Sequence, residues 1–503
     1  ADRSTASAEL LDRTLSNQAS GFFEPAVEVE NIARLLRDYP QVMPSFVSEH
    51  AQTHPPGLIV ANWLTIKGFA RWPALSQRIA RLIWPLRCAD LWLLDRPPQV
   101  AAALGFWSIW PILAAALTVI PAFGLARHLL DGRAVPLASV LAATLPSLIL
   151  FAPKSVQLYA PLVLILFWTF HSGLAIRSTW RLLLAGLTLS LMTFLSLGNA
   201  ALYLLLLAYA SMRYWLITGR TENYSDRSRT WTEFLKPLVV LSLGAASIWL
   251  LVWWLFGASP LAIAQIGLRQ HYDLVTRFRR YEWWVAWNIV DLILFAGWPL
   301  LLGFLGSLAL ALHLWRRKHI TSVDILALCL ILLIILLDLS GSARGETGRI
   351  WLFFLPLLAF PAARFWNRML PGPWPSTVIV ALQLLMVLSL GLAWRPVRAV
   401  IVVAERPTLP DLSPQNDLNV VFAGEPITLH GYSLQPDQVD AGDALQLTLF
   451  WRASRPTHRP YTVFNHLVNE NGELVAQQDS WPVNGRWPPT CWRSEESVVD
   501  TYM

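Results

Sequence analysis

Several groups of residues in this 503-residue chain have the types and spacing for chemistry. His54-Pro55-Pro56 lies in the polar stretch 52–57, where two prolines stiffen the backbone and can hold an imidazole toward a phosphate or a hydroxyl. A loop histidine beside a double proline serves as readily as a local hydrogen-bonding group. Glu24, Glu28 and Glu30 offer carboxylates that can take a proton, or else form a solvated face; Glu49 is a further candidate. Lys154, Gln157 and Tyr159 put a cation, an amide and a phenol on one short turn between apolar stretches, although a snorkelling lysine is the ordinary explanation. Arg277 and Arg280, with Arg279, stand in an aromatic-rich segment that equally suits lipid anchoring. Arg344, Glu346 and Arg349 stand between two strongly apolar stretches, either as a sealing Glu-Arg pair or as guanidinium forks for phosphate oxygens. The chemistry these types suit is a transfer in which one carboxylate accepts a proton and cations hold a leaving phosphate.

The elements that must carry these residues are membrane helices. The chain is 55% hydrophobic and 14% charged, with 26 Trp and a mean hydropathy of +0.45, which excludes an ordinary soluble globule. Ten stretches are long enough at 1.5 Å per residue to cross most of a bilayer core: 99–126, 134–152, 156–176, 180–197, 200–217, 236–257, 288–313, 322–340, 350–366 and 376–394. Pro356 and Pro361 make the ninth the weakest. Alternate connections differ in charge. One set carries fourteen Lys and Arg, including Arg127, Arg177, Arg220 and Arg316; the other carries seven, including Lys154, Arg279 and Arg349. The positive-inside rule therefore predicts a multi-pass protein of the plasma (inner) membrane with the second set, the N-terminal loop and the C-terminal domain extracytoplasmic.

The expected organisation is 1–98, a first extracytoplasmic loop; 99–395, a transmembrane helical domain; and 396–503, an extracytoplasmic β-sandwich. Residues 58–70 and 74–94 show helical apolar periodicity and predict interfacial amphipathic helices, with Trp63, Trp72, Trp84 and Trp92 at headgroup depth. The polar start without an initiator Met predicts one further helix upstream. After Trp394 short alternating strands replace the apolar runs, and Asn469-Glu470-Asn471-Gly472 predicts a hairpin turn. Trp481, Trp487 and Trp492 are candidates for stacking on sugar rings, or for packing. Cys88, Cys329 and Cys491 lie far apart, so their spacing predicts neither a disulfide framework nor a zinc site. The net charge of +6 follows the basic loops and implies no nucleic-acid partner.

An acid-bearing first loop, juxtamembrane helices and then a long ladder resemble the GT-C superfamily of polytopic glycosyltransferases over roughly residues 20–395. His54-Pro55-Pro56 looks like the His-Pro-Pro element of the protein O-mannosyltransferase branch, where lipid A aminoarabinose transferases carry Lys-Pro-Pro. With Gly57, Asp38-Tyr39-Pro40, Met43-Pro44 and Arg344 to Arg349, the chain is similar to membrane glycosyltransferases of filamentous green non-sulfur bacteria. The C-terminal segment resembles the β-domain appended to many of them. The resemblance implies transfer of a sugar from a polyprenyl-phosphate donor to a protein, lipid or glycan acceptor of the cell envelope. It implies no certain cofactor and leaves a divalent cation open. The family's acid lies in an Asp/Glu-Ala/Gly-x-Tyr element, but here Ala19 to Ala26 has no acid before its aromatics, so the role falls to Glu24, Glu28 or Glu30, or to an acid upstream. The alternatives are a transporter or flippase of lipid-linked glycans, or a glycan polymerase or ligase; neither internal repeats nor mid-bilayer charges point to transport.

Overall fold

The computed structural model describes residues 10–216, 227–393, 404, 406, 413–422, 424–436, 438, 440 and 442–503. Arg220 and the boundary expected at 395–396 lie outside them. A helical multi-span membrane region is followed by an antiparallel β domain. Among the described residues, six helices are long and apolar enough to cross a bilayer: Pro98–Leu129, Ser155–Ala175, Glu233–Phe256, Trp298–Arg316, Ser322–Ser340 and Pro373–Ala393. Thr347–Phe353 and Leu355–Met369 form a seventh, broken by a 78° bend where Pro356 denies the backbone an N–H. The spans expected over 134–152 and 180–197 fall on the shorter apolar helices Ala134–Leu150 and Thr179–Leu195, and that over 200–217 on Ala201–Leu216.

Two helices differ from expectation for identifiable reasons. The span expected over 288–313 is broken at Gly297, whose φ of 90° suits a residue without Cβ; the helices Tyr281–Ala296 and Trp298–Arg316 meet there. A break among apolar helices must find partners for its freed backbone groups. Fully buried Gln383 supplies one, its Nε2 donating to the Ala296 carbonyl at 2.9 Å. The helix Gly57–Ala70 is apolar around most of its circumference, not amphipathic. Its Asn62 is buried and donates to Leu58 O at 2.8 Å. The stretch 74–94 forms Pro73–Leu82, Trp84–Arg87 and Leu91–Leu94. Pro73–Leu82 is strongly amphipathic, with Leu75 and Leu82 exposed and small Ser76 and Ala80 buried.

The described residues divide into two compact units. One comprises those within Arg13–Leu64 and Trp107–Val397, and the other those within Ala1–Asp12, Thr65–Phe106 and Arg398–Met503. In the second, strands β1 (Asn416–Val421), β2 (Ile427–Gln435), β3 (Gln446–Ala453) and β6 (Glu496–Tyr502) form one antiparallel sheet in that order, while β4 (Val463–Val468) and β5 (Leu474–Ser480) pair separately. The predicted turn joins β4 to β5: Asn469 Oδ1 accepts from the Asn471 and Glu473 amides at 3.0 and 2.8 Å, and Gly472 takes φ 80°. Trp487 and Trp492 are 5% and 2% exposed, in the core with Trp451 and Tyr502, so neither presents a face to a sugar.

The cysteine expectation is corrected here. Cys88 and Cys491 form a disulfide across 403 residues, their Cα atoms 5.0 Å apart, within that same core. The Pro85 carbonyl accepts from Ala404 N at 2.9 Å beside it. Replacing both cysteines by serine is expected to cost this unit about 2–4 kcal/mol, measured by thermal unfolding of the β domain's tryptophan fluorescence. An unchanged transition would show that the packing alone holds residues 84–89 to the sheet.

Candidate functional site

The N-terminal segment builds one wall of a cavity in the helical unit. Gly21, at φ 71°, approaches Ser48 so closely that a Cβ would stand 1.7 Å from Ser48 Oγ. That approach seats the turn carrying Gln18, Ala19 and Ser20 on the cavity. Ser48 also caps the short helix Glu49–Thr53, its Oγ accepting from His50 N at 3.2 Å. His54 follows as the C-cap, and Tyr39 Oη donates to its carbonyl at 2.8 Å. Proline 55 then redirects the chain into Gly57–Ala70. Gly57 is required by packing: a Cβ there would lie 2.2 Å from the Phe194 carbonyl oxygen. Gly57→Ala is expected to destabilise the protein by about 1–3 kcal/mol through forced separation of these backbones. A thermal-unfolding midpoint in detergent equal to that of the parent would refute this.

The cavity has a volume of about 500 Å³. His50, Thr53, His54 and Glu49 meet Lys154 and Tyr159 from the start of Ser155–Ala175, Ser196 to Asn199, His271 and Arg279, and Glu346 and Arg349. Leu268, Leu274, Val275, Leu337, Ile350 and Phe353 supply an apolar lining. Three cations, Lys154, Arg279 and Arg349, thus stand against two carboxylates, Glu49 and Glu346.

The histidines add no charge near neutral pH. His54 Nδ1 lies 2.9 Å from the His50 carbonyl and 3.0 Å from Thr53 Oγ1, which fixes the proton on Nδ1 and leaves Nε2 as the acceptor. Burial, then the neighbouring His50 and Arg349, depress its pKa to about 3. Burial and Arg349 likewise bring His50 down to about 4. Lys154 falls to about 8 because burial and Arg349 disfavour its charge. For Glu346 burial acts upward, but the charge of Arg349 and the hydrogen bond from Arg279 outweigh it and hold the carboxyl near 2. Glu346 joins the two arginines, accepting from Arg279 Nη2 at 2.9 Å and from Arg349 Nη2.

A polar plug holds this loop. Asn288, 1% exposed, donates to Asp338 Oδ1 and the Ala343 carbonyl, both at 2.9 Å, and accepts from Gly345 N at 3.0 Å. Glu346 itself takes the left-handed conformation, at φ 56°. A non-glycine residue held there costs free energy that surrounding contacts must offset. Its two guanidinium partners provide such contacts.

The structure therefore brings together His54, Lys154, Tyr159, Glu346 and Arg349 from the sequence candidates, and separates others from them. Glu24, Glu28 and Glu30 do not line the cavity: Glu24 accepts from Asn17 Nδ2, and Glu28 and Glu30 are exposed. Gln157 is fully buried, donating to Leu148 O at 2.7 Å, because a 3-10 turn points it into the protein. The Arg344 guanidinium is occupied by the carbonyls of Arg279, Thr276 and Gly341, at 2.8, 3.2 and 3.2 Å. Arg277 and Arg280 are exposed, over Phe278 and Trp283. Of the three arginines, Arg279 is the one that reaches the cavity. Glu49, the secondary carboxylate candidate, also lines it; its place in the first turn of a helix ending at His54 was the available signal. Among the described residues, no group of three or more His, Cys, Asp or Glu side chains is arranged to hold a metal ion.

The fold and site define a multi-pass membrane protein with a polar cavity in its helical unit. No protein-family model and no curated protein sequence matches the chain. Among solved structures it is similar to the Archaeoglobus fulgidus oligosaccharyltransferase, described in complex with Zn and sulfate, at 14% identity and a TM-score of 0.38. The match covers 77% of this chain and 51% of that one, so the chain spans about half its length. A likeness this distant leaves activity and substrate to be argued from the residues of the site.

Proposed function

We propose that this chain is a GT-C-type membrane glycosyltransferase that moves a sugar from a polyprenyl-phosphate-linked donor to an acceptor hydroxyl at the extracytoplasmic face. The observation that carries the proposal is the cavity itself, where Lys154, Arg349 and Arg279 stand with Glu49 and neutral His54 beside an apolar lining of Leu268, Leu274, Val275 and Leu337. In the transfer, an acceptor oxygen attacks the sugar's anomeric carbon as the bond from that carbon to the phosphate oxygen breaks. The acceptor proton goes to the Glu49 carboxylate, and His54 Nε2 accepts a hydrogen bond from substrate. Lys154 and Arg349 compensate the charge gathering on the leaving phosphate, with Arg279 and Glu346 fixing the Arg349 fork.

The orientation draws support from the Cys88–Cys491 disulfide. Disulfides persist in oxidising compartments, so both residues belong on the outer side. Sharing a side also requires an even number of crossings between them. The ten spans expected from sequence satisfy this, and so do the six long apolar helices; seven crossings would not.

Lys154 gives the site a pH signature. Its folded-state pKa near 8 lies below the ordinary lysine value, so the ammonium is lost as pH rises through 8. Donor KM is expected to rise above that pH, and Lys154→Gln to raise KM throughout while abolishing the alkaline limb. Steady-state kinetics from pH 6 to 10 read this; an alkaline limb that survives the substitution assigns it elsewhere.

The decisive assay incubates membranes containing the full-length protein with radiolabelled polyprenyl-phosphate sugars and follows label into acceptor. Crossing of lipid-linked glycan with no donor consumed would replace the transferase reading by a flippase.

A further inference from the structure

Two helices that reach the cavity also reach a second one at their opposite ends. Tyr159–Ala175 starts at the first and finishes with Gly173 and Leu174 at the second, whereas Thr179–Leu195 starts at the second and runs to Ser196 at the first. Each helix has 17 residues, so the cavities lie about 25 Å apart along the axis. Both are built within the helical unit.

The second cavity has a volume of about 260 Å³, and among the described residues Arg177, Arg213 and Lys236 line it with a single carboxylate, Glu233. Glu233 is engaged by Arg177, Nη1 to Oε1 at 2.8 Å. Among the described lining residues, Arg213 and Lys236 therefore form an excess of positive charge over the acids. Arg213 is held at the rim: its Nη1 donates to Ser322 Oγ at 2.6 Å, and one helical turn back fully buried Tyr209 is hydrogen-bonded to His171 at 2.8 Å. The depth of the cavity is marked by Trp180 and Trp215, which follow the lining residues Thr179 and Tyr214 and are 64% and 62% exposed. Exposed indoles at helix ends sit at headgroup level. From the cavity rim the helix Arg227–Phe256 continues with exposed Leu235, Val239 and Leu243, a surface for acyl chains.

We infer that this cavity binds the phosphate of an anionic glycerophospholipid, with Arg213 and Lys236 on its oxygens and the acyl chains along the exposed face of Arg227–Phe256. The cavity is geometrically separate from the transfer site, so the inference stands whether or not that activity does. It fits a lipid better than free phosphate because indoles and an apolar face adjoin the cations.

The test places the full-length protein in nanodiscs of phosphatidylcholine and adds phosphatidylglycerol, more phosphatidylcholine or inorganic phosphate, reading bound lipid by native mass spectrometry and the unfolding temperature. Each basic group near a membrane surface is worth about fivefold in affinity. Arg213→Gln with Lys236→Gln is thus expected to weaken phosphatidylglycerol retention by about 30-fold, while Arg316→Gln with Arg317→Gln, outside the cavity, leaves it within about threefold. Should the first pair prevent folding, Lys236→Glu alone, at an exposed position, is expected to lower retention by at least about fivefold. Equal retention of the neutral lipid, equal retention in the cavity variants, or stabilisation by inorganic phosphate matching that by phosphatidylglycerol overturns the inference.

Discussion

Arg349→Gln is expected to lower the rate of sugar transfer on the order of 100- to 1,000-fold, with a smaller change in donor KM. The Arg349 side chain is only 15% exposed and lies against Glu346, on a cavity wall shared with Lys154. In such a partly dehydrated setting a cation aimed at a leaving phosphate acts with little screening, and glutamine supplies neither the charge nor the planar fork. Arg277 provides the contrast, because it is half exposed and within 3.9 Å of Asp273. Arg277→Gln is expected to retain transfer within about threefold. The measurement is single-turnover label transfer at saturating donor. Equal loss in both variants, or in neither, would remove Arg349 from its proposed role.

Glu49→Gln is the second substitution with a large expected effect. It preserves shape while removing the proton acceptor, and a general base contributes about 10²- to 10⁴-fold. The loss is expected in kcat, and the more acidic acceptors should lose least because their proton needs less help. Glu24→Gln, Glu28→Gln and Glu30→Gln serve as comparisons, since none of the three carboxylates lines the cavity. Each is expected to stay within about threefold of the parent. If Glu24→Gln abolishes transfer and Glu49→Gln does not, the proton goes to the other side of the N-terminal wall.

His54 and Arg349 were legible because their types are unusual beside long apolar stretches. Arg344 looked equivalent to Arg349, five positions away, until the loop's path became visible. Gly341 and Gly345 at φ 62° and 87° turn that loop so that Arg344 folds back on carbonyls while Arg349 faces the cavity. Arg277, Arg279 and Arg280 look alike in the sequence, and only the path of the chain separates Arg279, which lines the cavity, from its two exposed neighbours. The Arg279 side chain donates to Glu346, 67 positions further on.

The helical membrane region and the β segment were determined by the sequence itself, whereas the ten expected spans resolve into six long apolar helices, a bent seventh and shorter ones. Burial of about 20 successive apolar residues in lipid is a local property, and so is the alternation that makes a strand. The Asn469 to Gly472 turn was equally local, since Asn side chains bond their own backbone a few residues ahead. Tertiary structure alone decided which carboxylate and which cations share the cavity, that Gln383 repairs the break at Gly297, and that Cys88 meets Cys491. Those contacts join segments tens to hundreds of residues apart, and no periodicity or spacing along a chain records which distant side chains folding will bring within 3 Å.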